Sequence, residues 1–85
     1  MNKEDNLKKL NLKLPEPKAP VGSYLAFKTS ENYLYISGQI STDENNKLII
    51  GKLGKNLSTE QGYEAAKRCG LSLISQAKKA CKNDL

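Results

Sequence analysis

Apolar and polar positions alternate most cleanly at Tyr33–Ile36, with Tyr33 and Tyr35 on one face and Leu34 and Ile36 on the other. A period of two reads as a strand. Tyr24 to Thr29 reads as a strand before it, and Ser30-Glu31-Asn32 as the turn between them, with Asn able to take the left-handed conformation. The pair is a predicted hairpin. Its second strand is apolar on both faces and is therefore placed centrally. The alternation stops at Ser37-Gly38-Gln39. Such a stop is either a turn or a pocket, where glycine lets a ligand reach the main chain and its neighbours offer hydrogen bonds. Ser41 to Lys47 is a polar loop, and Leu48 to Leu53 a third strand weakened by Gly51.

The period changes on either side of these strands. Lys3 to Leu10 predicts a short amphipathic helix, capped by Asn2, with Glu4 and Asp5 at its positive end. Pro15 and Pro17 end any helix before Leu14 can join it, so Leu14 to Gly22 is an extended, stiff connector. Ser58 and Gln61 have capping-box spacing, and from Thr59 to about Lys82 the spacing is helical. Tyr63, Ala66, Gly70, Leu71, Leu73, Ile74 and Ala77 make its apolar face. Gly70 inside that helix costs about 1 kcal/mol against alanine unless close packing needs the room. The chain thus divides into lead-in (1–13), connector (14–23), three strands (24–53) and long helix (58–82), all in one domain. A three-stranded sheet with one covering helix leaves a face and an edge open, so the core is expected to be incomplete.

Composition narrows the class of protein. Of 85 residues, 38% are hydrophobic and 27% charged, which suits a globular domain with a polar surface. The net charge of +5 raises nucleic acid as a partner. The basic residues are spread along the chain, however, and the one cluster, Lys78, Lys79 and Lys82, has no aromatic residues beside it to stack on bases. A solvated lysine-rich surface is the better reading. Cys69 and Cys81, on one helix, would stand about 18 Å apart along its axis. A disulfide needs Cα atoms within about 7 Å. Free thiols and a charged N-terminus without signal-peptide character point to the cytoplasm. No apolar run is long enough to span a membrane.

Candidate chemistry is sparse. The chain has no histidine, which removes His triads, His metal sites and His proton shuttles. Gly51-Lys52-Leu53-Gly54-Lys55 lacks the Ser or Thr and the glycine spacing of a phosphate loop, and reads as a turn needing positive φ. Cys69 has no activating neighbour and reads as packing. Tyr63 reads as a core residue near the helix start. Tyr24 follows Gly22-Ser23 where the connector enters the first strand; by residue type alone it is an edge-strand aromatic.

Three stretches change that picture when read together. Leu14 to Tyr24 (LPEPKAPVGSY), Leu34 to Ser41 (LYISGQIS) and Gly51 to Cys69 (GKLGKNLSTEQGYEAAKRC) resemble, in this order, the opening half of the RidA/YjgF family, also called the L-PSP endoribonuclease family. The long lead-in and the Gly-Lys-Leu-Gly segment resemble a divergent branch. The resemblance implies an α+β, chorismate-mutase-like fold: a mixed sheet with helices on one face, here reduced to helix-β-β-β-helix. It implies a homotrimer with ligand clefts between neighbours, no metal or organic cofactor, and a small-molecule carboxylate ligand. The studied branch hydrolyses reactive enamines and imines to 2-keto acids and ammonia. An arginine grips the substrate carboxylate there, and a glutamate places the attacking water.

The resemblance carries over residue by residue to a cleft of Tyr24, Ser37, Gly38 and Gln39. The family's substrate arginine and glutamate have no match among the 85 residues; Arg68 sits on the long helix and does not correspond. Ser23 and Ser41 stand where the deaminase branch often has proline. The chain is therefore expected to be the N-terminal part of a longer protein and inactive by itself. Deaminase, non-catalytic trimeric binding or regulatory protein, and RNA-cleaving protein are the functional expectations, in that order. With no histidine and no aromatic-basic surface, RNA ranks last.

Overall fold

Ser58 and Gln61 set the start of the dominant element. In the computed structural model, which describes residues 3–17, 22, 23, 25–83 and 85, the Gln61 amide donates to Ser58 Oγ at 3.1 Å. The Ser58 amide in turn donates to Gln61 Oε1 at 2.8 Å. Both halves of the capping box are thus made, and helix α2 runs from Thr59 to Ala80. Its far end closes through Lys82, left-handed at φ 55°. The Asn83 amide donates to Lys78 O at 2.8 Å and the Lys82 amide to Lys79 O at 3.2 Å. Those two bonds are a Schellman closure built on lysine where glycine is usual.

The lead-in ends the same way. Helix α1 spans Lys3–Lys9, and its C-terminus closes on left-handed Asn11 (φ 57°). Leu12 N donates to Leu7 O and Asn11 N to Lys8 O. Asn11 therefore terminates the helix before the prolines are reached. The cap expected from Asn2 lies outside the described residues. Two contacts fasten the lead-in to α2: Lys78 Nζ pairs with Glu4 at 2.9 Å, and Ser75 Oγ donates to Pro15 O at 2.6 Å.

The hairpin forms with strands β1 (Phe27–Ser30) and β2 (Tyr33–Ile36), paired antiparallel with Phe27 opposite Ile36 and Ser30 opposite Tyr33. Glu31, at φ 55°, takes the left-handed turn position that had been expected of Asn32. Phe27, Leu34 and Ile36 are half-buried, while Lys28, Ser30, Tyr33 and Tyr35 share the exposed face.

Two expectations are corrected. The third strand over Leu48–Leu53 does not form. Two isolated bridges stand in its place, Thr42 with Leu48 and Leu53 with Leu57. Gly51, at φ 153°, breaks the pleat, and the following turn folds back so that Lys52 O accepts the amides of Lys55, Asn56 and Leu57. The sheet is consequently two-stranded, and β2 has no neighbour on its second edge among the described residues. The apolar face of α2 is covered only in part, with Gly70, Ile74 and Ala77 half-buried beside buried Leu71. Leu71, Ser75 and Gln76 are buried, whereas Tyr63 (74% exposed), Ala66 and Leu73 face outward. A two-stranded sheet and a short lead-in cover one side of a 22-residue helix, and the Arg68–Ser75 side takes that place. Leu71 is the single apolar side chain buried among the described residues.

Candidate functional site

The stop after Ile36 is built by Ser37. Its amide continues the ladder one step past β2, donating to Ala26 O at 3.0 Å. Its hydroxyl proton is shared between Leu25 O (2.6 Å) and Ala26 O (2.8 Å). Gln39 Nε2 donates back to Ser37 O at 3.1 Å. Both flanking side chains are thus tied to main chain. Gly38 between them is exposed, is absent from the positive-φ glycines, and would meet nothing within 4 Å if it carried a Cβ. Neither backbone conformation nor packing within this chain calls for glycine at 38. An exposed glycine with open space leaves the main chain accessible to an outside group.

Tyr24 lies outside the described residues. Ser37 nevertheless holds the Ser-Gly-Gln turn against Leu25 and Ala26, the two residues that follow Tyr24 in the chain. Ser37 is thus fixed to the Leu25 and Ala26 carbonyls, just before β1. A groove of about 570 Å³ lies elsewhere, between Asn11–Glu16, Glu44–Asn46 and the Glu64–Leu71 stretch of α2. It combines carboxylates with Lys67 and Arg68 and includes none of Ser37, Gly38 and Gln39.

Arg68 has a structural task that sequence spacing does not reveal. Its Nε donates to Thr42 O at 2.6 Å and its Nη2 to Asp43 O at 3.2 Å, across 25 and 26 residues of chain. The guanidinium fork clamps the loop from Ser41 to Lys47 onto α2. Within that loop Asp43 Oδ1 accepts the amides of Asn45 (2.8 Å) and Lys47 (3.0 Å). The Lys47 amide bond holds the Asp43 carboxyl below the usual aspartate range; partial desolvation opposes it, and the Asn45 amide and the charges of Lys47 and Arg68 add to it. The Gly51–Lys55 segment is a turn, with Gly54 at φ 81°. Tyr63 is exposed and so is not a core residue; it lies in the first turns of α2, on the uncovered side. Cys69 is half-buried, Cys81 exposed, and both are free thiols. Among the described residues no three of His, Cys, Asp and Glu gather to hold a metal, and no helix is long and apolar enough to cross a membrane.

Known proteins share this arrangement. A Shewanella oneidensis MR-1 protein, provisionally described as an endoribonuclease, superposes with a TM-score of 0.88 at 32% identity, over 96% of this chain and 54% of its own. A protein of unknown function from Agrobacterium tumefaciens superposes with a TM-score of 0.79 at 31% identity, over 96% of this chain and 49% of its own. Protein TCP17 of Trypanosoma cruzi is 35% identical over 75 residues, 88% of this chain and 47% of that protein. No protein-family model matches the chain. The chain spans about half the length of the relatives it matches.

These findings define an α+β chain with a chorismate-mutase-like architecture, present over the part that the chain spans. The fold agrees with the RidA/YjgF resemblance carried by the three sequence stretches.

Proposed function

We propose that the whole protein binds a small carboxylate metabolite in a cleft walled by Tyr24 and Ser37–Gln39, and there hydrolyses reactive enamines or imines to 2-keto acids and ammonia. In that reaction the enamine tautomerises to its imine, water adds to the C=N carbon, and the C–N bond breaks to leave a ketone and ammonia. The observation that carries the cleft reading is Gly38: open space over a main chain that has no internal reason to lack a side chain. Its braced position beside Leu25 and Ala26 supports the same reading.

The cleft belongs to an assembly in this proposal. Ten large apolar side chains are exposed among the described residues, including Tyr33 (67%) and Tyr35 (61%) on the outer face of the hairpin. So much uncovered apolar surface on a small chain marks an interaction face. Three copies of the whole protein would cover it, closing each cleft between neighbours, and light scattering on a sizing column checks the mass. The proposed compartment is the cytoplasm.

A non-catalytic binding or regulatory trimer is the second reading. Arg68, the one arginine of these 85 residues, is engaged by the Thr42 and Asp43 carbonyls, so the deaminase reading requires a carboxylate-gripping arginine from the rest of the protein. Semicarbazide trapping of 2-iminobutyrate, with and without the whole protein, separates the two. Faster loss of the imine supports the deaminase; an unchanged rate leaves the binding protein. Cleavage of RNA that persists through repurification and is lost in Tyr24→Phe would displace both.

A further inference from the structure

We infer that Ser37 is a positioning residue: it sets where the main chain of Gly38 sits and does not itself touch the ligand. The inference rests on the cleft reading above and assigns the roles within it. A hydroxyl has one proton, and that of Ser37 lies between two carbonyl oxygens at 2.6 and 2.8 Å, on Leu25 and Ala26. The serine amide is held by Ala26 O as well, at 3.0 Å. Three contacts from one residue therefore pin the end of β2 to the two residues preceding β1. Its carbonyl is held from the other side by the Gln39 side-chain amide at 3.1 Å.

Gly38 lies directly between these two braces and meets nothing around its own α-carbon. The consequence is a division of labour. Ser37 and Gln39 present their polar atoms to the protein, and the Cβ direction at Gly38 opens on free space. Loss of the Ser37 hydroxyl takes the donor from the Leu25 carbonyl, leaves Ala26 O with the Ser37 amide alone, and frees the turn to move away from Leu25. Misplacement of a binding group by about 1 Å is enough to weaken recognition a hundredfold.

The test uses the whole protein, with 2-oxobutyrate as the probe, followed by amide resonances. In ligand-free Ser37→Ala, the amides of Ala26, Phe27 and Gly38 are expected to shift, because the pin is gone before any ligand is present. The same variant is expected to bind 2-oxobutyrate about tenfold more weakly at a temperature where both chains give the same helix signal. Ser37→Thr, which keeps the hydroxyl, is expected to restore both readouts. Weaker binding with unmoved ligand-free resonances would make Ser37 a contact residue and overturn the inference. Failure of threonine to restore the Gly38 resonance would overturn it too. If the unmodified whole protein gives no response to 2-oxobutyrate, the cleft reading fails, while the ligand-free spectra still decide whether Ser37 places Gly38.

Discussion

Gly38 and Asp43 show how single residues divide between fold and function. A methyl group added at Gly38 meets no atom within 4 Å and needs no left-handed backbone. Gly38→Ala is therefore expected to leave the chain as stable as before, or to gain about 0.4–1 kcal/mol from a less flexible unfolded chain. It should nevertheless abolish the response to 2-oxobutyrate, because the methyl fills the approach to the main chain. Equal melting with undiminished binding would remove glycine's role there. Asp43 belongs to the fold. Its carboxyl is held below its ordinary range, so the folded loop favours the charged form. That contribution is present in full above the unfolded aspartate pKa and is lost as pH falls through the lower folded value. Protection of the Asn45 and Lys47 amides, relative to their intrinsic exchange at each pH, should fall only in acid below the ordinary aspartate range, and Asp43→Asn should weaken that dependence on pH.

At the scale of elements, α2 carries several independent devices. Its N-terminus has a complete capping box, and removing the hydroxyl in Ser58→Ala is expected to cost about 1 kcal/mol of helix stability. Its C-terminus closes on a lysine at φ 55°. A non-glycine residue pays roughly 1 kcal/mol or more for that conformation, so Lys82→Gly should stabilise the helix end by a similar amount. Gly70 meets no neighbour within 4 Å, so Gly70→Ala should raise helicity by about 1 kcal/mol in this chain. Circular dichroism at 222 nm through a thermal melt checks all three, and a loss of helix in Gly70→Ala would mean that the helix is packed more closely there.

The whole molecule is a small sheet and a long helix with little between them. One buried apolar side chain and an unpaired edge on β2, both among the described residues, make a weak cooperative unit. The 85-residue chain in isolation is therefore expected to melt broadly, to bind a hydrophobic dye, or to self-associate. A sharp cooperative melt from a monomer would contradict this.

Local physics determined much of this protein in advance. The spacing of Ser58 and Gln61 set where α2 starts, alternation located β2, and the glycines of Gly51–Lys55 announced a turn, because each of these depends on residues within a few positions of one another. The stop at Ser37-Gly38-Gln39 was legible as a special place, though a turn and a pocket wall read alike from the residues. Tertiary structure decided the rest. Whether Leu48–Leu53 became a strand depended on a partner strand that sequence alone could not supply, and the chain turned back on Lys52 O instead. Which side of α2 was buried depended on what lay opposite, and the lead-in and hairpin chose the side of Leu71 and Ser75. Arg68 found its carbonyls across 25 and 26 residues, and Ser37 found its own across 11 and 12, because folding alone brings such distant groups within hydrogen-bond reach.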